Sequence, residues 1–291
     1  MEYKKRIYEI FVIFFMLGLT ALSAIKSSGY KADVSGAATP ETSAFGAGEE
    51  KQLHLIQATT FEDDYKGMAE LGLAYTPYLE EADLQKAFQN VLCSCVRFQV
   101  KGHYGSGSIY KMTENEIILV TNRHVLQYWD EDSYVTFFNG RVSEGTALGV
   151  SEKADVGFVS IPVGKFTYEE LLFFRGVRME RENAGENKEN DRIAVPKSNT
   201  EFFMADMASE WNEPVMKQGK VIESVIYLED FQAEMLYGNG DAIPGMSGCG
   251  VFDGHGYYLG MLSGGTLQSE VAAVPAQTIY VQYEEIVKNK R

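Results

Sequence analysis

From residue 91 onward the chain is cut into short apolar runs by turn residues, and this punctuation constrains the fold more than any other feature. Residues 91–100, 106–110, 117–121, 134–138 and 156–161 are predicted as strands, each rich in β-branched or aromatic side chains. Asn139-Gly140 lies between Val135-Thr136-Phe137-Phe138 and Arg141-Val142 and signals a two-residue hairpin, because both turn residues tolerate positive φ. Asp253-Gly254 does the same between Gly250-Val251-Phe252 and Tyr257-Tyr258-Leu259. Two good helical patterns interrupt the strands. One opens at the capping box Thr167-x-x-Glu170 and stops at Gly176, and the other places Ile279, Tyr283, Ile286 and Val287 on one face. Many short strands with few helices predict a mainly β sandwich or barrel from about residue 90 to the end. No internal repeat is present.

The first quarter of the chain reads differently. Lys4, Lys5 and Arg6 precede an apolar stretch from Ile7 to Ile25, and no residue from Ile10 to Ile25 is charged. A positive flank followed by an apolar core predicts a signal anchor or a cleaved signal peptide over residues 1–26, and hence an extracytoplasmic location for the rest. The run is slightly short of the ~20 residues usual for a spanning helix. Residues 27–52 change to Ala, Gly, Ser, Thr and Glu, a composition that reads as a flexible tether. Tether and N-terminal extension together are assigned to 27–75. A helix is predicted next, with Thr76-Pro77 at its start and Leu84, Ala87, Phe88 and Val91 on one face.

Charge and composition exclude several functions. With 26 basic against 41 acidic residues the net charge is −15, so little affinity for nucleic acid is available from counterion release. The three cysteines, Cys93, Cys95 and Cys249, are too few for a disulfide scaffold and lack C-x-x-C spacing. No metal cluster is visible, and the Gly-rich stretch 102–107 leads into a strand, which excludes a dinucleotide loop. No cofactor is expected. A mechanism that needs a histidine base must draw on His54, His103, His124 or His255. His54 lies in or near the tether, and His103 and His255 read as exposed loop residues.

Three separated segments carry chemistry. In Thr121-Asn122-Arg123-His124-Val125 a histidine follows the end of an apolar strand, placed by a rigid element yet facing a cleft. In Ala154-Asp155-Val156-Gly157 an aspartate precedes a buried strand, where burial demands a partner. In Gly245-Met246-Ser247-Gly248-Cys249-Gly250 the glycines allow a tight turn that presents the Ser247 hydroxyl. They also let backbone N–H groups converge as an oxyanion hole. A Gly-x-Ser-x-Gly match alone is weak, and here a strand follows it instead of the helix of an α/β-hydrolase elbow. The order His, Asp, Ser and the β-rich context make the set specific.

These segments resemble the trypsin-like serine proteases, closest to bacterial Deg (high-temperature-requirement) proteases and secreted glutamyl endopeptidases. Gly105-Ser106-Gly107-Ser108-Ile109 resembles the strand ahead of their histidine, and Thr121-Asn122-Arg123-His124-Val125 their Thr-Asn-x-His-Val. Ala154-Asp155-Val156-Gly157 resembles the segment with their aspartate, and Gly245-Met246-Ser247-Gly248 their Gly-Asn-Ser-Gly. The similarity extends through Val251-Phe252-Asp253-Gly254, Leu259-Gly260-Met261-Leu262-Ser263 and Val274-Pro275-Ala276, covering residues 91–291. Met246 and Cys249-Gly250 depart from the usual residues around the serine. The segment from Gly176 to Arg192 has no counterpart and reads as a solvated loop, and no PDZ domain of the Deg type is expected.

The resemblance implies two perpendicular six-stranded β-barrels with a C-terminal helix over residues 76–291 and an active site between them. It implies a serine endopeptidase acting on polypeptides, with His124, Asp155 and Ser247 as triad and the N–H groups of Gly245 and Ser247 as oxyanion hole. In that family the residue six before the serine lies at the floor of the pocket for the substrate's P1 side chain. That residue is Asp241, with Ser263, Gly264 and Gly265 as the wall, and it would favour Lys or Arg. The rival reading is a catalytically inactive binding or sensor module of the same fold at the membrane.

Overall fold

A computed structural model describes residues 61–180, 193–208 and 213–287. The expected signal segment and tether, and most of the charged 176–192 loop, lie outside the described residues. No helix among the described residues is long and apolar enough to cross a membrane.

Strand β3 (Glu116–Thr121) shows how the sequence builds two layers. Ile117-Ile118-Leu119-Val120 has no polar face because both faces are covered. Ile117 and Leu119 point into the interior of their own sheet, with Val96, Phe98, Ile109, Val135, Phe137, Val159 and Ile161. Ile118 and Val120 point the other way, into a core shared with Phe203, Phe252, Tyr258, Ile279 and Tyr283 from the second half of the chain. A third apolar cluster fills the second half itself, with Phe202, Met204, Met246, Cys249, Val251 and Leu262.

The first sheet is antiparallel and seven-stranded. Its members are β1 (Cys95–Val100), β2 (His103–Met112), β3, β4 (Tyr134–Phe137), β5 (Val142–Ser143), β6 (Thr146–Val150) and β7 (Gly157–Pro162), in the spatial order β5-β4-β1-β2-β3-β7-β6. The second sheet closes into a six-stranded barrel, β10-β13-β12-β11-β8-β9. Its strands are β8 (Glu201–Asp206), β9 (Val215–Leu228), β10 (Ala233–Gly240), β11 (Gly250–Asp253), β12 (Tyr258–Gly265) and β13 (Glu270–Pro275). The expectation of two closed barrels is therefore corrected for the first half. Its edge strands β5 and β6 are chain neighbours, yet no ladder joins them. Two-residue β5 is too short to offer one, and β6 is irregular between Ala147 and Gly149.

Helix α1 (Phe61–Glu70) and the segment after it pack on the first sheet, so the packed unit includes residues expected in the extension. Tyr65 and Ala74 are buried there, and the Tyr65 hydroxyl donates to the Met112 carbonyl. Helix α2 is Leu84–Val91, beginning later than Thr76-Pro77 predicted. Thr76 is buried and engaged elsewhere: its hydroxyl accepts from Arg178 N–H at 3.2 Å and its N–H donates to the Gly176 carbonyl at 2.8 Å. Asp83 takes the cap instead, accepting from Lys86 N–H. The helix runs through Val91, so the strand expected from there starts at Cys95, and Cys93 sits in a single 3-10 turn before it. A hairpin forms at Asn139-Gly140, but not with the expected two-residue turn: Phe137 faces Arg141 across three residues, 138–140, and of these only Gly140 takes a positive φ, +82°. Likewise four residues, 254–257, separate β11 from β12. Helix α3 is the short Arg123–Leu126, α4 is Tyr168–Phe173 with its capping box, and α5 is Ala276–Ile286.

Candidate active site

His124 stands in the first turn of α3, directly after β3. Asp155 is the centre of a tight turn before β7, closed by Val156 N–H to the Ala154 carbonyl at 2.9 Å. The Asp155 carboxylate takes two bonds from His124: Oδ2 lies 2.8 Å from Nδ1, and Oδ1 accepts the backbone N–H at 3.1 Å. Ring position and ring tautomer are set by one side chain, leaving Nε2 for other work. Burial raises the Asp155 pKa, but the adjacent His124 charge and the hydrogen bonds from His124 and Ser263 outweigh it, so the carboxyl stays below its ordinary 3.8.

Asn122 and Ser263 were not recognised as supports of this pair from sequence. Asn122 Nδ2 donates to the Asp155 carbonyl at 3.1 Å and to Ser263 Oγ at 3.0 Å. Ser263, expected as a pocket wall, is buried and turns its hydroxyl toward Asn122 and Asp155. Its role is set by a contact 141 residues away in the chain, which no local motif announces.

Ser247 is held mostly by backbone. The Ser106 N–H donates to the Ser247 carbonyl at 2.8 Å, Gly248 N–H to Leu262 O at 2.9 Å and Cys249 N–H to Met246 O at 2.9 Å. Met246 is fully buried inside the barrel, and its Sδ accepts Ile243 N–H at 3.3 Å, so the residue that departs from the usual motif anchors the turn. Gly248, at φ +89°, leaves no room for a side chain: a Cβ would lie 2.0 Å from the Ser106 carbonyl oxygen.

Two contacts bring the serine turn to the histidine. Leu262 accepts from Gly248, and the next residue, Ser263, meets Asn122 and Asp155. Gly105 fits between the two sides, where a Cβ would meet Val125 Cγ2 at 2.9 Å and the Ser247 carbonyl oxygen at 3.2 Å. Among the described residues no hydrogen bond joins Ser247 Oγ to His124, and the N–H groups of Gly245 and Ser247 have no acceptor. The Gly245 carbonyl receives the Ser106 hydroxyl at 3.4 Å.

The remaining candidates are placed elsewhere. Asp241 is exposed and accepts the Ser269 hydroxyl at 2.6 Å, unlike the desolvated floor expected of it. Gly264 and Gly265 are buried in β12, with Ala242 packed on Gly265. His103 is exposed and its ring lies 4.8 Å from that of Tyr128. His255 is half-buried, bonded through Nδ1 to Leu79 O at 2.8 Å, and lines a separate cavity of about 470 Å³ with Lys197 and Glu201. The three cysteines are free thiols. Burial pushes Cys93 to about 11 and Cys95 to about 12, and raises buried Cys249 well above the ordinary value, so thiolate chemistry beside Ser247 is suppressed. No group of three or more potential ligands among the described residues could hold a metal ion.

No family model and no curated protein matches this chain. Solved structures do. An inactive mutant form of Rv3671c from M. tuberculosis aligns with TM-score 0.55 and 14% identity over 74% of this chain and 98% of that one. The serine endoprotease from Yersinia pestis aligns with TM-score 0.55 and 16% identity, covering 73% and 70%. The HtrA-type protease AlgW with tripeptide gives 0.54 and 16%, covering 71% and 64%, and Deg5 gives 0.52 and 18%, covering 70% and 94%. The chain has the trypsin-like, Deg-type protease fold. In this Deg-type frame the departures cluster where the serine turn meets the barrel interior: Met246 and Cys249 are both packed there.

Proposed function

We propose that the chain is a serine endopeptidase that cleaves polypeptides through an acyl-enzyme on Ser247. The observation that carries this reading is the doubly bonded His124–Asp155 pair set beside a glycine-flanked serine turn. Ser247 Oγ attacks the scissile carbonyl while His124 Nε2 takes its proton, then returns it to the leaving amine. Asp155 holds the Nδ1–H tautomer and stabilises the imidazolium. The unengaged N–H groups of Gly245 and Ser247 receive the oxyanion. Substrate binding brings Ser247 Oγ and His124 within hydrogen-bond reach, a contact that often tightens only in the complex. The charged flank and apolar run of residues 4–25 support anchoring at a membrane with the protease unit outside the cytoplasm.

A fluorophosphonate probe tests the reading. The wild-type chain is expected to be labelled at Ser247, and Ser247→Ala to be unlabelled and inactive. His124→Ala should lose on the order of a million-fold in kcat, because triad residues act as a unit. His103→Ala and His255→Ala should retain most activity. A wild type that folds yet takes no label would instead establish the inactive binding module.

A further inference from the structure

The turn that carries Asp155 is held from outside its own sheet. Ser151 is buried, and its hydroxyl oxygen accepts two backbone N–H groups of that turn, from Lys153 and Ala154, both at 3.0 Å. A hydroxyl has two acceptor sites and one proton. With both acceptor sites taken, the proton goes to Gln282 Oε1, at 2.5 Å. Gln282 is itself buried, on α5, and its Nε2 donates to Glu285 Oε2 at 3.4 Å, which sets the amide orientation. Beside it Tyr283 packs on Tyr110 and Phe158 of the first sheet, fixing the helix there. On the other side of the turn Arg123, neighbour of His124, donates to the carbonyls of Ser151 and Glu152 at 3.1 and 3.3 Å. The exposed pair Lys153–Glu285, at 2.9 Å, adds a link that solvent screens.

We propose that Gln282 is a positioning residue for Asp155: the C-terminal helix of the second half clamps, through the Ser151 hydroxyl, the turn that aims the carboxylate at His124. The inference rests on the reading of Asp155 as the partner of His124. The hydrogen bonds of Gln282 go to Ser151 and Glu285 and not to His124 or Ser247, so its effect reaches catalysis through the geometry of the Asp155 turn. Small misplacements of a catalytic group carry large rate penalties, so loss of the clamp should lower kcat and leave substrate binding alone.

The test uses the full chain, a fluorophosphonate probe and the best-cleaved member of a P1-diversified peptide library. Gln282→Met keeps the volume and removes the acceptor. It is expected to lower kcat and probe labelling by about tenfold to a hundredfold with KM within about twofold. Gln282→Glu combined with Glu285→Gln keeps an acceptor for Ser151 and a donor–acceptor pair between the two positions, and should recover kcat to within about threefold of wild type. The inference is overturned if Gln282→Met keeps wild-type kcat, if it changes KM alone, or if the double variant is as impaired as Gln282→Met. Should Gln282→Met fail to fold, Ser151→Ala removes the same bond from the other end, and a wild-type kcat there overturns the inference equally. A wild type that takes no label at Ser247 overturns the protease reading together with the clamp, whereas a labelled wild type with unaffected variants overturns the clamp alone.

Discussion

The two sides of the site are built by different means. On the His124–Asp155 side, side chains do the fixing: a carboxylate with two bonds to one histidine, an asparagine and a serine behind it. On the Ser247 side the backbone does, through hydrogen bonds from Ser106 and Gly248 and a glycine pressed against a carbonyl. Side-chain supports can be trimmed one at a time and leave the chain path intact. A backbone turn seated on another sheet has no such tolerance, because added volume must displace main chain. The serine side should therefore fail by misfolding and the histidine side by losing rate.

Gly248→Ala attacks the serine side where it is tightest. The new Cβ would sit 2.0 Å from the Ser106 carbonyl oxygen and 2.6 Å from Thr121 Oγ1, at φ +89°. Backbone strain and overpacking each cost about 1–3 kcal/mol, so a stability loss of about 2–6 kcal/mol is expected together with loss of fluorophosphonate labelling. Thermal melting and labelling measure both. A variant that melts with the wild type and keeps its label would break the contrast between the two sides.

Legibility in the sequence divides along the same line. His124, Asp155 and Ser247 stand out in the sequence as candidates because each sits in a short segment whose residue types are demanded by local geometry. The contacts of Ser263 and Met246 do not. Ser263 acquires its partners from Asn122 and Asp155 across the two halves, and Met246 owes its place to a barrel interior assembled from all six strands of the second sheet. Tertiary contact also overrode a good local signal at Thr76-Pro77, whose cap went to Arg178 while Asp83 started the helix. Closure of the first sheet depends on whether its edges pair, a matter of strand length at β5 that alternation of side chains leaves open.

Asp155→Asn probes the histidine side. Its geometry can survive, but the wrong tautomer of His124 is favoured, so a loss on the order of 10⁴ in kcat is expected with the fold intact. The pH dependence of stability adds a second reading. The Asp155 carboxyl is held below its ordinary 3.8 in the folded chain, so the unfolded chain binds the proton more tightly. Its stabilising contribution is present above that value and is lost as pH falls through the lower, folded-state pKa. Denaturant titrations between pH 6 and 2, with ~0.5-unit steps, should show wild type losing more stability than Asp155→Asn. Parallel curves would mean that the carboxylate is not what braces this side.

Asp241→Ser carries the smallest expected effect and sharpens the comparison from outside both sides. Asp241 is an exposed carboxylate already occupied by the Ser269 hydroxyl, on the stretch that leads from β10 to the serine turn. Solvent screens such a group, and exposed ion pairs contribute about 0–1 kcal/mol. A preference for Lys or Arg at P1 that rests on this carboxylate should accordingly be modest, at most about fivefold over a neutral side chain of similar size. Cleavage of a P1-diversified library by wild type and by Asp241→Ser measures it, with total activity expected to be nearly equal. A shift of about a hundredfold would require a desolvated charge at P1 and would contradict the solvent exposure of Asp241. No shift at all would remove Asp241 from substrate recognition and leave P1 selection to the buried glycines of β12, without disturbing the roles proposed for His124, Asp155 and Ser247.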